Sequence, residues 1–246
     1  MRTLIISDIH GNLEALQSVL GSTDGIDSVV CLGDIVGYGP SPNECVETVK
    51  NLEPAACLAG NHDLGATATI DISLFSSAAA RALVWTRSVL KPENLAYLET
   101  LKPTGMWEGA ALAHGSPRDP VWEYLESPQQ AAASLELIQS DACFVGHTHV
   151  PRVFEQGEEP ETPRVRAFAP AHEDAVPLSD GTRRILNPGS VGQPRDGDPR
   201  AAYAVVDDSE GVSTFLRVSY AFDVTQRKII EAGLPSSLAS RLSVGM

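Results

Sequence analysis

Basic charge is scarce in this chain: 18 Lys and Arg face 32 Asp and Glu across 246 residues, a formal net charge of -14. Such a chain lacks the broad basic surface that a nucleic-acid backbone demands, so duplex DNA is a poor partner. Cysteine is sparse as well. The four cysteines (Cys31, Cys45, Cys57, Cys143) include no CxxC pair, and Cys31, Cys57 and Cys143 fall inside apolar runs that read as buried strands, so they read as reduced core residues and not as zinc ligands. No apolar stretch reaches the roughly 20 residues that a bilayer span requires. Met1-Arg2-Thr3 runs straight into a strand, leaving no room for the apolar region of a signal peptide. The expected location is therefore the cytoplasm, away from membranes. Internal repeats and linkers are also missing, so the expectation is a single domain over residues 1–246, whose 43% hydrophobic content suffices for a large core.

What is present is a βαβ rhythm. Leu4-Ile5-Ile6 leads to Ser7-Asp8-Ile9-His10-Gly11-Asn12, and Leu13, Leu16, Val19 and Leu20 then carry helical spacing with Asn12 as the N-cap. Val29-Val30-Cys31-Leu32 leads to Gly33-Asp34, and Ser41-Pro42-Asn43-Glu44 reads as a capping box opening the next helix. Ala55-Ala56-Cys57-Leu58-Ala59 leads to Gly60-Asn61-His62-Asp63. From about 74 to 101 the pattern is helical, with Phe75, Ala78, Ala82 and Val89 near one stripe, and Pro92 opens a second helix that Pro103 closes. A strand at Ala110–Ala113 delivers His114. A helix capped by Ser127-Pro128-Gln129-Gln130 precedes Ala142-Cys143-Phe144-Val145, which delivers Gly146-His147-Thr148-His149. Beyond 150 short β-like runs dominate. Gly157 to Glu161 reads as a hairpin tip or loop, Asp207 to Gly211 as a turn, and Asp223 to Gln226 as the cap of a final helix.

Five of the six histidines, His10, His62, His114, His147 and His149, sit at the C-terminal ends of expected strands; only His172 lies elsewhere, in a Pro/Ala/Glu-rich surface loop. In open α/β sheets those strand ends line the ligand crevice, so distant loops can converge there. Asp8 and His10 are two apart, as are His147 and His149, and on an extended segment each pair would point toward one centre. A set of carboxylate, imidazole and amide ligands without thiolate suits Mn, Fe, Co, Ni or Zn, and imidazole is not a calcium ligand.

Asp8-Ile9-His10, Gly33-Asp34, Gly60-Asn61-His62-Asp63, His114 and Gly146-His147-Thr148-His149 resemble, in order and type, the motif set of the calcineurin-like metallophosphoesterases, over residues 8 to 149. The resemblance implies an α/β fold, a four-layer α/β/β/α sandwich of two mixed sheets. It also implies two divalent ions, manganese first among the candidates. Asp8, His10, Asp34 and His149 would hold one ion, and Asp34, Asn61, His114 and His147 the other, with Asp34 bridging. Two dications, two carboxylates and one bridging hydroxide leave net positive charge toward a phosphate, and the hydroxide attacks phosphorus without a Ser or Cys nucleophile. His62 carries no metal in this scheme and is free to stabilise phosphoryl charge or protonate the leaving oxygen, with Asp63 orienting its ring.

Asn187 to Arg195 resembles a family segment that follows the last metal loop. Arg195 and Arg118 are candidates to grip substrate phosphate, since guanidinium matches its geometry. Tyr38 and Trp122 are candidates for stacking on a nucleobase, against the plainer reading of loop packing. The expected reaction is hydrolysis of a small phosphodiester or nucleotide, because the chain has no long insertion to bind a macromolecule. Gly33-Asp34-Ile35-Val36-Gly37 also lacks the Arg that protein serine/threonine phosphatases carry there. The resemblance extends to small bacterial phosphodiesterases and diadenosine-tetraphosphatase-like hydrolases. The rival readings are a binding scaffold, as in a retromer subunit of this fold, from which ligands would be missing, and a nuclease acting on short single strands.

Overall fold

The first apolar runs are hydrophobic at consecutive positions, as strands covered on both faces must be. The computed structural model, which describes residues 1–157, 164–178 and 180–246, has this arrangement. In order, the elements are β1 (Arg2–Ile6), α1 (Leu13–Gly21), β2 (Ser28–Cys31), α2 (Pro42–Asn51), β3 (Ala56–Cys57), α3 (Asn61–Ala66), α4 (Ser77–Val89), α5 (Pro92–Thr100), β4 (Thr104–Trp107) and β5 (Ala110–Ala113). There follow α6 (Pro128–Leu135), β6 (Ala142–Val145), β7 (Arg152–Gln156), β8 (Val165–Phe168), β9 (Ala175–Pro177), β10 (Arg184–Asn187), β11 (Ala201–Asp207), β12 (Val212–Val218), α7 (Phe222–Glu231) and α8 (Ser236–Ser240). Short 3-10 turns lie at Ile72–Leu74 and Arg241–Ser243.

The strands form two mixed six-stranded sheets, ordered β3-β2-β1-β11-β12-β9 and β4-β5-β6-β10-β7-β8. In the first, β1, β2 and β3 run parallel, and in the second β5, β6 and β10 do. Alternation along each strand builds the layers. Ile5, Val30, Leu32, Phe144, Leu186 and Phe215 meet between the sheets. Leu4, Ile6, Val29 and Cys31 turn outward onto Leu16, Val19, Val46 and Val49 of α1 and α2. Cys143, Val145 and Ile185 turn outward onto Ala131 and Leu135 of α6. The result is the expected helix, sheet, sheet, helix sandwich. Its parallel strands all end at one edge, which gathers the loops after β1, β2, β3, β5, β6 and β10.

Local signals fared unevenly. Asn12 caps α1, its side chain accepting from the Ala15 N–H at 3.2 Å, and Ser127 with Gln130 makes the expected capping box. Ser41 makes no side-chain cap on α2, where Pro42 at the first position alone carries the start signal. The helix placed at Asp223–Gln226 begins at Phe222 with no side-chain cap, and α8 follows it, so it is not the last. Val89 is exposed and Phe75 lies before α4, so of the expected stripe only Ala82 is fully buried, and the buried face of α4 is Ala79, Ala82, Leu83 and Thr86. The Gly157–Glu161 reading falls from 158 onward outside the described residues. All four cysteines are free thiols.

Candidate metal centre

Each expected ligand is delivered by a loop at the common edge. Asp8 and His10 follow β1, Asp34 follows β2, Asn61 and His62 open α3, His114 follows β5, and His147 and His149 follow β6. All are buried, none above 4% exposed. The structure brings them together in two overlapping groups. Ligand atoms of Asp8, His10, Asp34 and His149 lie within 4.8 Å of one another, and so do those of Asp34, His114 and His147. Asp34 belongs to both.

The histidines are oriented from behind. Nδ1 of His10 meets the Val36 carbonyl at 3.2 Å, Nδ1 of His114 the Leu32 carbonyl at 2.9 Å, and Nδ1 of His149 the Gln193 carbonyl at 2.6 Å. A carbonyl only accepts, so each Nδ1 carries a proton and each Nε2 faces inward, where it can offer a lone pair whenever the ring is neutral, the arrangement that metal-binding imidazoles use. Those Nε2 atoms face carboxylates: His10 is 3.5 Å from Asp34 Oδ2, His114 3.4 Å from the same oxygen, and His149 3.5 Å from Asp8 Oδ1. The Nε2 atoms of His10 and His149 are themselves 3.0 Å apart. Asp34 Oδ2, Asn61 Oδ1, His114 Nε2 and His147 Nε2 are buried without any hydrogen-bond partner among the described residues. Other buried polar atoms also lack partners, but these four come from four loops and combine carboxylate, amide and imidazole donors, three of them from the Asp34, His114 and His147 group, which fits the donor set of a divalent cation.

The protonation states follow from burial and neighbours. Burial lifts the Asp8 carboxyl to about 7. At Asp34 burial also pushes upward, but His114, His62 and His10 outweigh it and hold the carboxyl well below its ordinary value. His114 is the reciprocal case: burial lowers it, yet Asp34 lifts it to about 9. Burial keeps His147 down at about 3 and His62 at about 4, and holds His10 and His149 well below 6.5. Without a metal, a proton on His114 thus balances Asp34 where a cation's charge would do so.

Two expectations about this site need correction. Asp8, His10, Asp34, His147 and His149 are not extended; all have positive φ, between 49° and 66°. Asp63 does not orient His62 either. Its carboxylate accepts from the N–H groups of Gly60 at 3.0 Å, Val36 at 3.1 Å and Ile35 at 3.3 Å, which ties the Asp34 loop to the start of α3, and His62 Nδ1 has no partner. Gly60 is required here, because any Cβ would overlap the Asp34 carboxylate.

The remaining candidates divide. The Arg195 guanidinium lies 5.8 Å from the Tyr38 ring centroid, and that ring is 4.7 Å from His10 and 4.3 Å from His62, so both residues border the ligand set. Arg118 pairs instead with Glu123 at 3.6 Å with its side chain largely in solvent. Trp122 packs on Phe75, which packs on His62. His172 accepts from the Arg217 N–H at 3.2 Å, away from the other five. The Asn187–Arg195 segment is a clamp: the Ser190 hydroxyl and Gly192 N–H donate to the Asp8 carbonyl at 2.8 and 2.9 Å, and Asn187 Nδ2 donates to the Gly146 carbonyl at 2.6 Å. Sequence reasoning missed Tyr124, whose ring stacks on His147 at 4.1 Å, and Arg241, which shares Gln193 with Arg195. Neither stands in a motif.

This geometry agrees with sequence kinship. The Calcineurin-like phosphoesterase superfamily domain matches residues 1–211. The chain is a calcineurin-like phosphoesterase. Membership makes it a metal-dependent phosphoester hydrolase. This phosphoesterase is similar to a metallophosphoesterase from Sphaerobacter thermophilus, whose crystal structure superposes with a TM-score of 0.90 at 44% identity, covering 100% of this chain and 99% of that one. It is 39% identical over 251 residues to the Methanocaldococcus jannaschii protein MJ0912, covering 98% of this chain and 97% of that protein. Escherichia coli phosphodiesterase YfcE is 25% identical over 219 residues, covering 85% of this chain and 88% of that protein. No helix of the phosphoesterase, among the described residues, is long and apolar enough to cross a membrane.

Proposed function

We propose that this phosphoesterase hydrolyses a small phosphodiester or nucleotide with two divalent cations, manganese first among them. Asp8, His10, Asp34 and His149 would hold one, and Asp34, Asn61, His114 and His147 the other. The observation that carries this reading is the set of buried, unpartnered atoms Asp34 Oδ2, Asn61 Oδ1, His114 Nε2 and His147 Nε2, which coincide with the four ligands this reading gives the second ion. Two such ions supply an acidified water as nucleophile and a clamp for the phosphoryl oxygens.

The chain's own residues do the rest. Asp8 and Asp34 fix the charge at the site, and the Leu32, Val36 and Gln193 carbonyls hold three imidazoles so that Nε2 points inward. His62 is buried and neutral near pH 7, its ring 4.9 Å from His10. It is therefore suited to donate a hydrogen bond from a neutral N–H to the phosphoryl group or leaving oxygen, and less suited to act as an imidazolium acid. The name of YfcE, a phosphodiesterase, is in line with a diester substrate, and every ligand position is filled, unlike a scaffold that has lost its metals. The test is a panel of bis-p-nitrophenyl phosphate, p-nitrophenyl phosphate, cyclic nucleotides and dinucleoside polyphosphates with Mn, Co, Ni, Zn and Fe. Metal-dependent diester or nucleotide hydrolysis that chelator abolishes is expected; well-metallated protein that cleaves none of them would end the proposal.

A further inference from the structure

Two arginines meet beside the candidate ligand set over one shared acceptor, Gln193 Oε1. The Arg195 N–H donates to the His149 carbonyl at 3.2 Å, and its guanidinium donates to Gln193 Oε1 at 2.9 Å and to the Tyr38 hydroxyl at 3.5 Å. Its Nε is buried without a partner among the described residues. Arg241, from the C-terminal 3-10 turn, donates to the same Gln193 Oε1 at 3.1 Å. The turn is fixed from both sides. Leu238, Ala239 and Leu242 are buried with Ala82 and Ile229, Gln226 Nε2 donates to the Ala239 carbonyl at 2.8 Å, and the Gly197 N–H donates to the Gly245 carbonyl at 2.9 Å.

Of the other part-buried arginines, Arg184 has Asp180 and Glu155, Arg200 has Asp198 and Arg217 has Asp196 as carboxylate partners, while Arg87 and Arg183 each donate to backbone carbonyls that they do not share with a second cation. With 32 acidic side chains available, Arg195 and Arg241 share only a neutral amide. Like charges sharing one acceptor repel, and burial together with Arg195 pulls Arg241 below its ordinary value. An anion between the two guanidinium groups would relieve that repulsion and match their planar forks. Tyr38 joins this pair to His10 and His62, so the anion would lie next to the reacting phosphoryl group.

We propose that Arg195 and Arg241 form a subsite for a second phosphoryl group linked to the scissile one, so that preferred substrates carry at least two joined phosphates. This inference rests on the hydrolytic reading above. It adds to the site a C-terminal turn that lies beyond the 1–211 family match.

The test compares wild-type protein with R241Q, R241K and R81Q, all full length and manganese-loaded. Arg81, exposed on α4, controls for lost charge. Two substrates are measured, bis-p-nitrophenyl phosphate, which has one phosphoryl group, and a dinucleoside polyphosphate. R241Q should lower kcat/KM for the polyphosphate at least about tenfold more than for the single-phosphate diester, as loss of a charge-assisted hydrogen bond predicts. R241K should fall between, and R81Q should leave the ratio unmoved. Calorimetry of inorganic pyrophosphate against orthophosphate gives a readout without turnover: wild type should prefer pyrophosphate, and R241Q should lose that preference. Equal losses on both substrates, or an unchanged pyrophosphate preference in R241Q, overturns the subsite. Failure of wild type to hydrolyse anything overturns the hydrolytic reading instead, and the pyrophosphate comparison still decides whether the arginines bind anion.

Discussion

Titrating metal-free protein with manganese should expel protons, and the site sets how many. A metal ligand must offer a lone pair, so His114 has to be neutral and Asp8 ionised in the loaded state. In the metal-free state Asp34 lifts His114, against burial, to about 9, and burial lifts Asp8 to about 7. At pH 7 the first is protonated and the second partly so, which gives a release from the ligands of between about one and two protons per molecule, rising toward two as pH falls, with any proton lost by an acidified water in addition. The assay is a pH-stat titration in weak buffer, with histidine nitrogen shifts from NMR to find the imidazolium. The same shift sets the stability. A folded value above the ordinary 6.5 means that His114 lends stability that is complete below 6.5 and fades as pH climbs through about 9. Metal-free protein should therefore weaken by about 2 kcal/mol between pH 7 and 9 in urea melts, whereas loaded protein, with His114 already neutral, should not. His10, His62, His147 and His149 are held neutral and act on stability only as pH falls below 6.5, outside that window. A neutral His114 at pH 7 in metal-free protein, or a release well under one proton, refutes the reasoning.

Asp34→Asn should reduce metal content at both positions, measured by elemental analysis of the purified variant, because Asp34 Oδ2 faces His10 and His114 alike; a variant that keeps two metals and full rate contradicts the bridging role. His62→Ala should keep both metals while kcat drops by about a hundredfold, the usual cost of losing one donor to developing charge; loss of metal would instead move His62 into the ligand set. Asp63→Ala strips the acceptor from three N–H groups in a site with no solvent access, and should lower the unfolding free energy by about 3 kcal/mol in urea. An Asp63→Ala protein as stable as wild type would show that those bonds carry no weight.

The cluster of candidate ligands was readable because its chemistry is carried by residue type and position after a strand. Asp8, Asp34, His114 and His147 each follow an apolar run covered on both faces, and such runs are conspicuous in sequence. Asp63 was misread because its role depends on which backbone N–H groups the fold brings near, and a sequence does not display those. The carbonyls of Leu32, Val36 and Gln193 were invisible for the same reason: every residue has one, and only topology selects which meets an imidazole. Arg241 lacked any signal, since it is a lone cation in a C-terminal segment without a motif, and its neighbour Gln193 lies in a different loop.

Of the five candidate ligand positions with left-handed backbone, four, Asp8, His10, His147 and His149, fall in two pairs of residues two apart. On an extended strand, alternate Cα atoms are separated by about 6.6 Å, and a chain that curls between a carboxylate and an imidazole two residues apart brings both closer to one centre. Positive φ at Asp8 and His10, and at His147 and His149, supplies that curl. It costs on the order of 1–3 kcal/mol per residue, although Asp and His tolerate the conformation better than most. The surroundings leave the loops no alternative. Asp8 N–H donates to the Gly33 carbonyl at 3.0 Å and His10 N–H to the Asp34 carbonyl at 2.9 Å, while Gly192 N–H and the Ser190 hydroxyl grip the Asp8 carbonyl from the far side. The β1–β2 pairing and the Asn187–Arg195 segment thus act as two jaws on one strained loop. Preorganisation of the candidate centre is therefore a property of the joined sheets, since each jaw comes from a different part of the chain.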